Sequence, residues 1–168
     1  MKPGVTVRVE TSLDRAAIHA VEAAAFGRDG EATLVDAVRE LNEDFISLVA
    51  TDDEQVVGHI CFSRVTLEPH DGRFSALAPL AVLPSRQRQG IGSMLVTAGL
   101  EECRNRNVQA VFVVGDPAYY SRFGFTPARD RGVRCEFDVP DVAFRVIELR
   151  AHSVKAGVLR YPQPFHRL

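Results

Sequence analysis

The chain opens on Val5-Thr6-Val7-Arg8-Val9-Glu10, where apolar and polar positions alternate with a period of two, and this predicts a half-buried strand. The period then lengthens. Thr11, Ser12 and Asp14 offer caps to a helix whose apolar positions Ile18, Val21, Ala25 and Phe26 recur near every 3.6 residues and which ends near Gly27. A second helix from Gly30 and Glu31 carries Leu34, Val35, Val38 and Leu41 at helical intervals and closes at Asn42. Phe45 to Ala50 and Gln55 to Leu67 are rich in β-branched and aromatic residues around the polar turn Asp52-Asp53-Glu54, which predicts a hairpin. Phe74 to Leu83 follows the turn-like His70-Asp71-Gly72 as a further strand, and Pro79 in its middle removes a backbone donor and marks a bulge or an edge.

Ile91 to about Asn107 reads as a helix with Ile91, Met94, Leu95, Ala98 and Cys103 on one face, although Gly99 inside it costs about 1 kcal/mol. Ala110 to Val114 is short and wholly apolar, as a central strand covered on both faces would be. A short helix from Pro117, strand patterns around Phe125 to Phe137, and a last strand from Phe144 to Leu149 complete the pattern, leaving residues 150–168 as a proline-bearing C-terminal tail. The order predicts an α/β chain with a mixed sheet covered by helices, folded as a single domain over residues 1–168.

Composition narrows this little. Hydrophobic residues make up 46% and charged residues 25%, the balance of an ordinary globular domain, and 168 residues suffice for one sizeable core. The formal net charge of −2 gives no general basic field, so nucleic acid and anionic membrane surfaces are unfavoured partners. No apolar run reaches 18 residues and the first ten residues hold no signal-peptide core, so a cytoplasmic protein is expected. Cys61, Cys103 and Cys135 are widely spaced and read as buried, inert thiols; the five histidines lack ligand spacing, and no metal site is expected.

The stretch from Leu80 to Leu95 carries the chemistry. A helix N-terminus presents unpaired amide hydrogens and about half a positive charge, and glycines at Gly90 and Gly92 would let a phosphate approach that backbone while permitting unusual φ angles. A dinucleotide fingerprint would need glycine where Leu95 stands, and a Walker loop would need Gly-Lys-Ser/Thr; neither is present. Gln87-Arg88-Gln89-Gly90-Ile91-Gly92 resembles the cofactor motif of the GNAT superfamily of N-acetyltransferases, Q/R-x-x-G-x-G/A opening a helix after a strand. Tyr120-Ser121-Arg122-Phe123-Gly124-Phe125 is similar to a second signature of that family, a tyrosine four residues before Gly-Phe.

The resemblance implies a GNAT-like acyl-CoA acyltransferase fold, with a mixed, mostly antiparallel sheet splayed between its fourth and fifth strands and helices on both faces. It implies acetyl-CoA (coenzyme A) as acyl donor and a primary amine, small-molecule or peptide, as acceptor attacking the thioester directly. The backbone of the Leu80, Ala81 and Val82 segment would pair with the pantetheine arm. Gln87 and the amides of Arg88, Gln89, Gly90, Ile91, Gly92 and Ser93 would cradle the pyrophosphate. Tyr120 would protonate the departing thiolate, a transfer uphill by roughly 2 kcal/mol from a phenol near pKa 10 to a thiol near 8.5, and adjacent Tyr119 is an alternative donor.

The family's usual asparagine at the next helix is replaced by Gly115-Asp116-Pro117, and no acid stands on Ser75 to Leu80, where relatives place a base. Glu22, Glu68, His70 and Asp116 are candidates whose bland reading is a solvated surface group. Arg86, Arg88 and Arg122 suit phosphate oxygens or plain solvent exposure. Tyr161 and Phe165 in the tail would cover exposed sheet, wall the acceptor pocket, or pack on a second copy in a homodimer. Two other functions stay open: a non-catalytic acyl-CoA-binding regulatory module, and a toxin-like acetyltransferase of aminoacyl-tRNA, which the charge balance disfavours.

Overall fold

A computed structural model of the protein describes residues 4–41 and 44–168; the closure of the second helix at Asn42 falls outside them. The strands are β1 (Val5–Val9), β2 (Ile46–Asp52), β3 (Gln55–Glu68), β4 (His70–Val82), β5 (Ala110–Val114), β6 (Thr126–Pro127), β7 (Val133–Cys135), β8 (Phe144–Glu148) and β9 (Gly157–Arg160). The helices are α1 (Arg15–Phe26), α2 (Gly30–Leu41), α3 (Ile91–Asn105) and α4 (Pro117–Ser121). The sheet runs β1-β2-β3-β4-β5-β8-β6; β4 and β5 are parallel and their other neighbours antiparallel, so the sheet is mixed and mostly antiparallel, as expected.

Period-two patterning divides the chemistry between faces. Ile46, Leu48 and Ala50 of β2 and Ile60 and Phe62 of β3 meet Ile91, Leu95, Val96, Leu100 and Cys103 of α3 on one side. Residues of opposite parity, Val49 and Ser47 of β2 with His59 and Cys61 of β3, face α1 and α2 on the other. Gly99 stands in α3 because Phe62 packs against it: a Cβ there would run into the ring. That contact explains a helix-interior glycine that propensity alone penalises.

β4 and β5 pair only through Phe74↔Ala110, Ser75↔Val111 and Ala76↔Phe112, after which they part. On the other edge of β4, Leu77 opposes Phe62 and Leu80 opposes Ile60, so Ala78 and Pro79 together face Cys61: Pro79 does mark a bulge. Among the described residues the edge of β4 beyond Ala76 therefore has no strand beside it, and the sheet opens between its fourth and fifth strands.

Four expectations need correction. His70-Asp71-Gly72 is not a turn but the start of β4, the turn falling at Pro69. Phe144–Glu148 is not the last strand: Gly157–Arg160, placed in the tail by sequence, forms β9, which pairs with Thr66–Glu68 of β3 beyond the end of β2 and with β7 in parallel. Four residues flanked by loop and proline carry too weak a period to be seen alone. The pattern read over Phe125 to Phe137 is broken into β6, a 3-10 turn at Ala128–Arg131, and β7, because Pro127 and the left-handed Gly132 (φ 75°) interrupt the ladder.

Glu22 is also not a solvated surface group. It sits on the sheet-facing stripe of α1, one turn after Ile18, and is fully buried. Its Oε2 lies 2.6 Å from Nδ1 of buried His59, whose Nε2 lies 2.7 Å from Ser47 Oγ. Ser47 donates to Glu10, which accepts two further bonds from Arg39 at 2.8 and 3.0 Å. Ser47 has one proton and spends it on Glu10, so His59 Nε2 must be the donor to Ser47. One proton is then shared between His59 Nδ1 and Glu22, whose carboxyl burial pushes upward. The chain of bonds ties α1, α2, β2, β3 and the residue after β1 into one block.

Candidate functional site

The loop after β4 and the start of α3 form a cradle of about 560 Å³ lined by Leu80, Val82, Gln87, Arg88, Gly90, Ile91, Gly92 and Ser93, with Arg86, Tyr119 and Arg122 around them. The two glycines serve different needs. Gly90, the residue before α3, has φ 85°, a left-handed conformation that side chains resist. Gly92 has ordinary helical backbone, but a Cβ there would lie 2.9 Å from the Tyr119 hydroxyl and project into the cradle.

The cradle is cationic. Arg122 donates to Ser93 Oγ at 2.9 Å and stacks 5.0 Å from the Tyr119 ring centroid. Arg86 is fixed by Asp52 at 2.8 Å and reaches Gln89 at 3.3 Å. Among the described residues no carboxylate side chain lines this space. Free helix-start amides, a positive rim and bare glycine backbone together suit a diphosphate.

Not every expected residue reaches the cradle. Ala81 turns its side chain into the α1 face with Ile18 and Val21, and Gln89 is taken up by Arg86; neither lines the space. The Val82 carbonyl accepts 3.1 Å from the Gln87 side-chain amide, which locks the loop onto the end of β4.

Where β4 and β5 part, a slot of about 510 Å³ continues from the cradle, and Leu80 and Tyr119 line both. Its other walls include Leu77, Pro79, Val113, Val114, Asp116 and Tyr120, with Phe26, Glu31 and Leu34 from α1 and α2. Tyr120 is held by α4, which Asp116 caps by accepting from the Ala118 N–H at 3.0 Å. Its ring packs edge-on to Phe125, and burial pushes the phenol upward, so it keeps its proton at neutral and alkaline pH. Gly115 has no Cβ because the Tyr120 ring occupies that position.

Of the carboxylate and histidine candidates, only Asp116 faces the slot. Glu22 is buried in its network, Glu68 pairs with Arg160 at 3.0 Å, and His70 bonds the Ala156 carbonyl at 2.8 Å, all outside the slot lining. Glu31, which sequence reading passed over, does line it. Arg28 bonds Glu31 at 2.6 and 3.0 Å and holds its carboxyl below the usual range. The signal was faint: an acid at a helix start is ordinarily explained by the helix dipole.

The three thiols are unsuited to nucleophilic work. Cys61 and Cys103 are fully buried, burial pushing Cys103 to about 12 and Cys61 further, and Cys135 is raised by the same cause.

A second cavity of about 390 Å³ adjoins the slot, sharing Leu77, Ala78, Val113, Val114 and Leu168 with it. Phe137, Tyr161 and Phe165 wall its far side, with ring centroids 5.1 Å apart between successive pairs. Tyr161 and Phe165 cover the sheet at Cys61 together with Leu34 and Val38 of α2, and they also wall a cavity beside the splay. No helix among the described residues is long and apolar enough to cross a membrane.

Comparison with known proteins agrees with this arrangement. The chain is 38% identical over 164 residues to Escherichia coli K12 YhbS, named an uncharacterized N-acetyltransferase, covering 96% of this chain and 98% of the relative. The crystal structure of E. coli YhbS in complex with CoA superposes with a TM-score of 0.93 at 37% identity, covering 100% of this chain and 96% of that one. A GNAT family acetyltransferase from Brucella melitensis in complex with acetyl-CoA gives 0.82 at 32% identity, over 96% and 97% of the two chains. The model of the acetyltransferase (GNAT) family matches residues 15–125, from the start of α1 through the Gly124-Phe125 pair. The chain belongs to the GNAT family of acetyltransferases.

Proposed function

We propose that this chain, acting as one N-acetyltransferase domain, moves the acetyl group of acetyl-CoA to a primary amine by direct attack of the amine on the thioester. The observation that supports this reading above all is the junction of cradle and slot at Leu80 and Tyr119. A diphosphate held at the helix start has a continuous path along the free edge of β4 to a place where an amine can meet a thioester.

The helix-start amides from Arg88 to Ser93 hold the diphosphate, with Arg86, Arg88 and Arg122 as counter-charge. The free edge of β4 at Leu80 and Val82 aligns the extended arm of the donor as a missing strand would. The amine, deprotonated, attacks the thioester carbon; the carbon–sulfur bond breaks and the sulfur leaves with the electron pair. Tyr120, lining the slot but not the cradle, gives its phenolic proton to that sulfur, and the proton shed by the new amide nitrogen passes to solvent, from which the phenolate regains one. Tyr119 has its hydroxyl over Gly92, toward the diphosphate end, and serves as wall.

Calorimetric titration with acetyl-CoA, followed by thiol release with a panel of amines, tests the reading. Micromolar binding and amine-dependent thiol release are expected, and absence of heat at millimolar acetyl-CoA would overturn it.

A further inference from the structure

Three exposed apolar side chains line the slot, Phe26 at 41%, Val114 at 43% and Leu168 at 63% exposure, and the last two also line the second cavity. Apolar groups left in water around one concave site mark a surface that expects an apolar ligand. The two cavities differ in charge. Among the described residues the charged side chains of the slot lining are Glu31 and Asp116, both carboxylates; Arg28 pairs with Glu31 from outside the lining, and Asp116 keeps one oxygen beyond its bond to the Ala118 N–H. Among the described residues the one ionisable side chain lining the second cavity besides Tyr161 is His166, which faces Glu136 at 3.5 Å; the rest of that lining is aliphatic and aromatic.

We propose that the acceptor is a small primary amine carried on an aromatic or branched apolar body, its ammonium received in the slot by Glu31 and Asp116 and its body lying against Phe137, Tyr161 and Phe165. This rests on the acetyl-transfer reading above and adds to it the class of acceptor.

The carboxylates attract the cation and orient its nitrogen toward the end of the slot that adjoins the cradle. The second cavity, of about 390 Å³, falls in the range of small-molecule clefts, roughly 300–1,000 Å³. An aminoglycoside or polyamine would bury several hydroxyls or further ammonium groups against Phe112, Val113 and Phe165, more than the Tyr161 and His166 side chains can partner, so its binding is selected against. A phosphorylated or carboxylate-bearing amine meets repulsion from Glu31 and Asp116. An aryl or branched alkyl body gains contact at each methylene, and in a pocket of this kind each is worth about tenfold or more in kcat/KM.

The test compares thiol release from acetyl-CoA with 2-phenylethylamine, tryptamine and isopentylamine against ethanolamine, putrescine, kanamycin and a lysine-containing peptide. The apolar amines are expected to exceed ethanolamine in kcat/KM by about 100-fold or more. Turnover confined to putrescine, kanamycin or the peptide would leave acetyl transfer standing and overturn the proposed acceptor class. No turnover with any amine would overturn both.

Two variants read the two halves of the site. Val114→Asp, at an exposed position that tolerates charge, is expected to lower the ratio of kcat/KM for 2-phenylethylamine to that for ethanolamine by about tenfold or more. Glu31→Gln is expected to raise KM for 2-phenylethylamine by about tenfold with the affinity for CoA unchanged, and Glu31→Asp to restore part of it. Equal losses for both amines in Val114→Asp would overturn the placement of the apolar body. An unchanged KM in Glu31→Gln would overturn the role of that carboxylate.

Discussion

The two sides of the splay are built on opposite plans. On the donor side, one continuous segment from β4 through the first turn of α3 supplies almost the whole cradle, and backbone does most of the work. On the other side the walls come from α1, α2, β5, the loop around Phe137, and the residues after β9, and side-chain shape does the work. Recognition by backbone demands special residues at fixed spacing, whereas recognition by shape can be met by many combinations of apolar residues. The first plan keeps one ligand across a family; the second lets the acceptor change.

The sharpest way to break that contrast is at the seam between the sides. Tyr120→Phe is expected to lower kcat by about 10²- to 10⁴-fold while leaving the dissociation constant for CoA within twofold, measured by thiol release and calorimetry. Tyr119→Phe serves as the control and is expected to retain kcat within a few-fold. The reverse order would move the acid to Tyr119.

Next in size is the block that carries the acceptor-side helices. Glu22→Ala leaves His59 buried without its partner and is expected to cost about 3 kcal/mol or more in urea unfolding. If donor and acceptor sides are separate in construction, the surviving folded protein loses acceptor affinity before CoA affinity.

The root of α1 gives a smaller effect with a pH signature. Arg8 bonds Asp14 at 2.7 and 3.0 Å and the Thr11 N–H donates to it at 2.7 Å, holding its carboxyl at about 2 against an ordinary 3.8. The unfolded chain takes up the proton first as pH falls, so this stability is present in full above pH 4 and is lost between about 4 and 2. Asp14→Asn is expected to remove about 2 kcal/mol at pH 7 and to flatten that part of the acid limb. Denaturant midpoints at pH 7 and pH 3 check it.

The smallest effect tests the cradle itself. Gly92→Ala adds one methyl facing the Tyr119 hydroxyl and is expected to weaken CoA about tenfold, with acceptor KM and urea midpoint little changed.

How much of this could be read from the chain follows the same division. The period of two in β1, the apolar run of β5 and the stripe of α1 set their elements within a residue or two. Pro79 announced its bulge, and Gln87 to Gly92 with Tyr120 to Phe125 announced the cradle and the slot, because each is a local device. β9 was missed because its reason for being a strand is the vacant edge of β3 about ninety residues away in sequence. Glu22 was misjudged because an acid on an apolar stripe is explained only once His59 is found opposite it. Glu31 and Phe26 were passed over because an acid at a helix start and an aromatic at a helix end have ordinary explanations until the cleft between them is seen.

The pairing of Gly157–Arg160 with β3 bears on how the protein comes into being. Gly157 fits there because the Glu68 carbonyl occupies the space a methyl would need, so the docking is close as well as late. During synthesis from N- to C-terminus, every residue of the glycine cradle and Tyr120 emerges from the ribosome before β9 and the Tyr161 and Phe165 aromatics behind it. The residues that line the cradle thus all precede, in order of synthesis, those that wall the far side of the second cavity.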